Sequence, residues 1–557
     1  MRRHHKRQAV VLAAVALAAG ACAEGEAAPD VRADHTTAVG AAAPMPDSPP
    51  GKGVLERAWS LDLSGEPKTG TRIAVAGGQL FVPSSRGLNV HDARTGQERW
   101  HYRERGRQLR GYAVTGGAVV LQTTTPGSSE DRLVGLDAAT GRRLWNGKGN
   151  LTVEDMTAYG VLASGGVVLA ERSVGRDMAT VVDGLDARTG KSRWNRPLGT
   201  GCVTFPSGVR VRSDASVLVL VASCGSTARI RALDPATGRV LWDRGAAAQA
   251  SVSVRGGLTA ITSGRTHVLD RAGRDVATDD CASDCEFTVA GGRPIVARPE
   301  TDGGPVLTGY DPGTGRRLWR RTVPTPGPAR LAAAGGRLQL LTDSWSENRL
   351  GPPQPAALRS VDPATGEDEH QAALPWLTSR VFSALGAGKI HSIVVTGERV
   401  FAVASGRDGK FRAFSYAASP AAGGPEELGG VPVADWPDAC ALGPSGMRAE
   451  PEGSATVGTL KLRNVRCAYF DAGTMTTVSI VWVAPTPEKA RELLVVEKGK
   501  GASESLGDEG HSFSAATGWQ GRPETVVRVG RHIVHFDRAG DVPEELKRAV
   551  ADKLGRR

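Results

Sequence analysis

The sequence predicts a mainly β protein: an eight-bladed β-propeller of four-stranded antiparallel blades, closed by N- and C-terminal strands, with a small C-terminal α+β domain. Three observations predict it. First, a hydrophobic strand followed by Asp-x-x-Thr-Gly, or a weaker form of that phrase, starts seven times, at Asp92, Asp137, Asp186, Asp234, Asp270, Asp311 and Asp362. Second, the copies fall about 45 residues apart, the spacing of stacked supersecondary units. Third, a second turn precedes each unit's most apolar run, usually as Gly-Gly: Gly77-Gly78, Gly116-Gly117, Gly165-Gly166, Gly256-Gly257, Gly291-Gly292 and Gly335-Gly336. Ser213-Asp214 and Thr396-Gly397 fill the same slot in two further units. Two turns per unit in fixed order give four strands per blade.

The chain opens with a basic stretch, Arg2 to Arg7, and a short apolar run, Ala9 to Ala21. That run suits a signal peptide over residues 1–22 and is too short to span a bilayer. Its end, Ala19-Gly20-Ala21-Cys22, resembles the bacterial lipobox, in which the cysteine receives a lipid and becomes the mature N-terminus. Ala19, where the lipobox prefers Leu, departs from it, and Ala19-x-Ala21 would also serve an ordinary signal peptidase. The resemblance implies lipid attachment at Cys22 and anchoring on the extracytoplasmic side of the cell membrane. Residues 23–52, rich in Ala, Pro, Gly and Asp, read as a flexible tether.

Residues 53–416 carry the propeller. In each repeat turn the Asp side chain accepts hydrogen bonds from backbone N–H groups two or three residues on, and Gly supplies the positive φ that closes the loop. These aspartates are therefore read as structural. Trp100, Trp145, Trp194, Trp242 and Trp319 follow the turns at one fixed position and, with Trp59 near the start, are expected to dock between neighbouring blades; the copies at Asp270 and Asp362 have no in-register Trp. Eight turns of the second kind against seven Asp phrases leave one blade incomplete. Ala58-Trp59-Ser60-Leu61 looks like a final strand without its Asp turn, and Lys410 to Phe414 looks like the strand before it. Pairing the two closes the ring and leaves no sheet edge open.

Of seven cysteines, six remain after Cys22 and fall as neighbours: Cys202 with Cys224, Cys281 with Cys285, Cys440 with Cys467. In an exported protein three disulfides are the simplest use of them. Cys281-x-x-x-Cys285 resembles half a zinc site, but no second Cys or His pair accompanies it, and no metal is expected.

Ala417 to Gly430 has a linker composition, and residues 417–434 separate the propeller from a module over 435–557. There, Thr486-Pro487-Glu488 starts a helix running to about Val496. Asp541-x-x-Glu544 with Pro543 forms a capping box for a second helix. Strands are expected over Val478 to Val483, Thr525 to Val529 and Ile533 to Phe536. Asp438 to Leu442, Arg466-Cys467-Ala468-Tyr469 and Leu506 to Gly510 are similar to small exported actinobacterial domains found on lipoproteins and outside membrane-bound Ser/Thr kinases; that resemblance implies a sensor or ligand binder. His532-x-x-His535 puts its rings on opposite faces of a strand, a poor metal clamp, and reads as two surface or half-buried histidines. The adjacent carboxylates Asp508 and Glu509 read as a structural or capping pair.

The repeat resembles that of the pyrroloquinoline-quinone-like (PQQ-like) propeller family over about residues 55 to 416. The resemblance implies one of two roles: a calcium-dependent quinoprotein alcohol dehydrogenase, or a cofactor-free lipoprotein of outer-membrane protein assembly. The enzymes carry two adjacent cysteines over the quinone, and this sequence has no Cys-Cys pair. It also lacks Gly-x-Ser-x-Gly, His-Glu-x-x-His and Walker motifs. No catalytic residue and no cofactor are expected. The net charge of +10 comes from dispersed arginines and the signal segment, and aromatic residues make up only 5%. That composition suits attraction to anionic headgroups or wall polymers better than nucleic-acid binding. The expected function is a non-catalytic, membrane-anchored scaffold that binds a protein partner or a cell-envelope ligand. The alternatives are a PQQ- and calcium-dependent dehydrogenase and an extracytoplasmic sensor coupled to a kinase or transporter.

Overall fold

Every Asp phrase closes a hairpin between the third and fourth strands of a blade. In the computed structural model Asp137 Oδ1 accepts from the Ala139 amide at 3.1 Å, the Thr140 amide at 3.0 Å and the Thr140 hydroxyl at 3.0 Å. Asp92, Asp186, Asp234 and Asp311 accept from amides two and three residues on in the same way. Asp362 takes the Ala364 amide at 2.7 Å. The Asp270 turn is tighter, with Gly273 in place of the usual later Gly, and its carboxylate accepts from Ala272 and Arg274. Residues described are 33–46, 53–63, 73–127, 131–151, 161–174, 179–199, 202–204, 214–300, 304–323, 330–342, 345–346, 355–378, 390–396, 398–405, 411–418, 427–428, 431–452, 455–457, 460–498, 501–514, 523–538 and 542–555.

Eight small antiparallel sheets form the ring. Blade 1 spans 74–104, blade 2 108–148, blade 3 150–199, blade 4 202–247, blade 5 251–279, blade 6 286–322 and blade 7 330–378. Blade 8 combines Ile390–Thr396, Arg399–Ser405 and Phe411–Ala418 with the early strand Gly53–Asp62. Trp59 lies opposite Ser415 and Ser60 opposite Phe414 in that antiparallel pair, so both ends of the propeller sequence close one sheet. Gly53 and Val54 also pair in parallel with Ala372 and Ala373, joining blades 7 and 8. In blade 3 the innermost position is shared by Asn150–Leu151 and Ala163–Ser164, which both pair with Val167–Val174.

Neighbouring blades meet through tryptophan. Trp145 donates from its indole to Ala187 O at 2.9 Å, Trp194 to Pro235 O at 3.0 Å, Trp319 to Pro363 O at 3.0 Å and Trp59 to Ala93 O at 3.3 Å. Each acceptor lies in the following blade's Asp turn. Trp100 reaches its neighbour through Gln79, which takes the indole N–H at 3.2 Å and donates to Ala139 O at 3.0 Å. The turn glycine is the seat of the ring. Gly141 holds φ at 75°, and a Cβ there would come within 2.6 Å of the Trp100 indole. On its other face the indole often meets a glycine of its own blade, as Trp145 meets Gly135 and Trp319 meets Gly309.

The stretch expected as a tether differs in part. Ala33–Thr36 adds a fifth strand to blade 1 by pairing with Glu98–Glu104. The reason is local: that outer edge offers unpaired backbone groups and His101, which meets Asp34 at 3.0 Å. Arg99 and Arg94 then donate to Gly40 O at 2.8 Å and Pro44 O at 3.2 Å. Cys22 and the signal segment lie outside the described residues, as does Lys410. Within the expected linker, Glu427–Leu428 pairs with Val431–Pro432.

The C-terminal part is a seven-stranded antiparallel sheet in the order 448–451, 466–471, 474–483, 532–538, 524–529, 509–513, 502–504. Two helices accompany it, α1 (Pro487–Lys498) and α2 (Glu544–Gly555). The Thr486 hydroxyl accepts from the Lys489 amide at 3.3 Å and caps α1; Asp541 lies outside the described residues. Ala490, Leu494, Leu546, Val550 and Leu554 join one core with Ile480, Val527, Val534 and Phe536. Trp345–Ser346, between strands of blade 7, pairs with Ala455–Val457, so the two parts of the chain share backbone hydrogen bonds.

Gly141→Ala and Gly106→Ala separate the two demands made on a turn glycine. Both sites have positive φ, but a Cβ at Gly106 meets nothing within 4 Å. Denaturant unfolding is expected to show a loss of about 1–3 kcal/mol for backbone strain in each variant. Gly141→Ala should lose clearly more, because the buried Trp100 ring must also shift.

Candidate functional site

The repeat carboxylates are committed to their turns and to arginines of the same hairpin or of a neighbouring turn. Asp186 binds Arg193, Asp234 binds Arg271 at 2.8 Å, and Asp137 binds Arg188 at 3.3 Å. Hydrogen bonds from the Thr314 hydroxyl and amide hold the Asp311 carboxyl below its usual range. The expected blade-docking tryptophans all lie in fourth strands, including Trp242, whose ring rests on Gly273 of blade 5.

The cysteines form three disulfides, Cys202–Cys224, Cys281–Cys285 and Cys440–Cys467. The first joins paired strands of blade 4 and the second spans the crossover from blade 5 to blade 6. The third ties the segment around Asp438 to the C-terminal sheet. Beside it the Tyr469 hydroxyl donates to Ala439 O at 2.6 Å and accepts from the Gly443 amide at 2.7 Å. Loops of 22 and 27 residues closed this way contribute about 3 kcal/mol each.

His532 and His535 do fall on opposite faces of their strand, but both are buried, at 3% exposure, where surface or half-buried rings were expected. The strand His532–Arg538 is central in the sheet, and each ring finds a partner there: His532 Nδ1 meets Val529 O at 3.2 Å, and His535 Nε2 meets the Glu524 carboxylate. Asp508 accepts from Arg528 at 2.9 Å and the Gly530 amide at 2.7 Å, which fastens two turns, while Glu509 meets His511 at 3.2 Å.

One cross-blade group had no distinctive sequence signal. Asp368 of blade 7 accepts from Arg321 of blade 6 at 2.7 Å and also from the buried Arg359. Burial pushes this carboxyl up, but the two guanidinium groups outweigh it and hold it below its ordinary value.

Calcium with pyrroloquinoline quinone, which the resemblance implies for the dehydrogenases, would need a cluster of cation ligands and, as in those enzymes, a pair of adjacent cysteines. The sequence has no adjacent cysteine pair, and among the described residues no three His, Cys, Asp or Glu side chains come together as cation ligands. Two surface cavities are lined instead by basic groups. One, of about 340 Å³, lies on blade 2 beside Arg107, Arg132 and Lys148. The other, of about 380 Å³, lies between blades 5 and 6. Its sequence signal was the Trp-less copy at Asp270 followed by the basic run Arg316-Arg317-Leu318-Trp319-Arg320-Arg321.

Eight four-stranded blades, most of them joined through an indole on the next blade's turn glycine, make this a propeller of PQQ-like repeats. The chain belongs to the family described as outer membrane protein assembly factor BamB, which matches residues 56–222 and 226–419. No curated protein sequence matches it significantly. Among solved structures, BamB from Moraxella catarrhalis is 18% identical, with 65% of this chain and 99% of that chain covered and a TM-score of 0.42. The quinohemoprotein alcohol dehydrogenase from Comamonas testosteroni is 16% identical, covering 65% of this chain and 76% of that one, at a TM-score of 0.37. A europium-containing methanol dehydrogenase is 13% identical, covering 65% and 93%, at 0.38. These three structures are thus one BamB protein and two dehydrogenases.

Asp368 sets an expectation for pH. Its folded value lies below its unfolded one, so its stabilisation is complete above about pH 4 and is lost as pH falls through the depressed value. Acid titration of unfolding free energy should show a shallower loss in Asp368→Asn than in the wild type. At neutral pH the variant should be less stable by about 3 kcal/mol, because Arg359 is left buried without its counter-charge.

Proposed function

We propose that this protein is a non-catalytic, lipid-anchored extracytoplasmic scaffold whose propeller presents its loops to a protein partner or a cell-envelope component. The observation that carries this reading is where the chemistry-bearing side chains are spent. The repeat aspartates accept turn amides, the tryptophans dock blades and the described cysteines are cross-linked. Membership in a family named for an assembly factor favours work through partners over turnover of a substrate. The three disulfides favour an oxidising compartment outside the cytoplasm. The Cys22 sequence supplies the means of attachment, with acyl chains contributing about 0.8 kcal/mol for each buried methylene.

Two measurements test the proposal. Membrane fractionation should find the wild-type chain with the membranes and Cys22→Ser released; equal retention of the variant would remove the anchor. Purified protein given pyrroloquinoline quinone and calcium should oxidise alcohols and sugars no faster than the cofactor alone, and robust turnover would replace the scaffold with a dehydrogenase.

A further inference from the structure

The junction between blades 5 and 6 is built unlike its neighbours. By register Ala277, opposite Val268, stands where Trp242 stands opposite Ala232 in blade 4. Among the described residues no indole covers Gly315 of blade 6; a Cβ there would instead come within 2.8 Å of the Val276 carbonyl oxygen. Two other links join the blades. The Cys281–Cys285 disulfide spans the crossover, and the Tyr310 hydroxyl of blade 6 donates to Asp279 of blade 5.

The groove of about 380 Å³ lies at this indole-free junction, and Gly315 is part of its wall. Its size is that of a small-ligand site. Five arginines line it: Arg265 from blade 5, and Arg298, Arg316, Arg317 and Arg320 from blade 6. Against them stand two carboxylates, Asp279 and Asp280. Both are engaged, Asp279 by Tyr310 and Asp280 by Arg265 at 2.5 Å. Arg298 pairs with Glu300 at 2.5 Å. Arg316, Arg317 and Arg320 have no ion pair among the described residues, and all three are exposed.

We propose that this groove binds the phosphate group of an anionic ligand. Several guanidinium groups around one opening match a tetrahedral oxyanion, which accepts forked hydrogen bonds from more than one direction; a carboxylate is satisfied by a single fork. The groove is open at the rim, so the phosphate can belong to a free polyphosphate or to a lipid headgroup. The site stands whether or not the chain is anchored.

Titration calorimetry with sodium tripolyphosphate at low salt tests it. The wild type and a control reversal at the exposed Arg110, Arg110→Glu, should bind alike. Arg317→Glu/Arg320→Glu should bind at least tenfold more weakly at an unchanged Tm. Sedimentation with phosphatidylglycerol and phosphatidylcholine vesicles separates the sources: headgroup binding gives phosphatidylglycerol retention that the double variant loses, and a soluble phosphate ligand gives tripolyphosphate binding without it. Equal tripolyphosphate affinity in the double variant and the wild type would overturn the site. So would a glutamate peptide of matching charge binding as tightly as tripolyphosphate.

Discussion

The ring holds together because a flat indole from one blade rests on a residue without a side chain in the next. A blade of four short strands is apolar on both faces and unstable alone, so the contact between blades must be both apolar and directional. Trp supplies the area and a single N–H, and the following turn supplies a glycine below the ring and a carbonyl to accept the proton. The Asp at the head of that turn fixes its backbone, which fixes where glycine and carbonyl lie. One phrase of sequence therefore shapes its own hairpin and receives the neighbour's side chain. Where the indole is absent, at Ala277, a disulfide and a Tyr–Asp hydrogen bond take over the fastening and the gap is left to solvent and arginine.

That double duty is why so much of the propeller was legible. The Asp turns, the Gly-Gly turns and the Trp positions are local devices, each needing particular residue types at fixed offsets. Counting them against each other even revealed the blade shared by Trp59 and Phe414. The cysteines were readable for a similar reason, since each falls near its partner along the chain. In the C-terminal part the helix start at Thr486-Pro487 was visible because capping is local, and the strands because apolar runs are.

What stayed hidden depends on residues distant in sequence and commonplace in type. Asp368 looks like any exposed strand-end carboxylate until the ring brings Arg321 beside it. His535 was read as surface or half-buried because nothing near it in sequence announces Glu524, which stands on the neighbouring strand two places from Val526, the residue opposite His535. The docking of Ala33–Thr36 was likewise unreadable, being four residues in an Ala- and Pro-rich stretch whose partner edge lies about 65 residues on. Candidate sites were the least legible part. A ligand groove here is defined by a missing side chain at one position and a surplus of charge at another, and neither forms a motif.

That short N-terminal strand has a geometrical consequence. With residue 33 held on the rim of blade 1, only residues 23–32 separate the wheel from Cys22, and a chain of that length reaches about 35 Å when fully stretched. A lipid on Cys22 would therefore moor the molecule by its edge and close to the bilayer. Such a tether would keep blade 1 nearest the attachment point yet leave the wheel free to tilt, so that either flat face, or the groove between blades 5 and 6, can turn toward the surface.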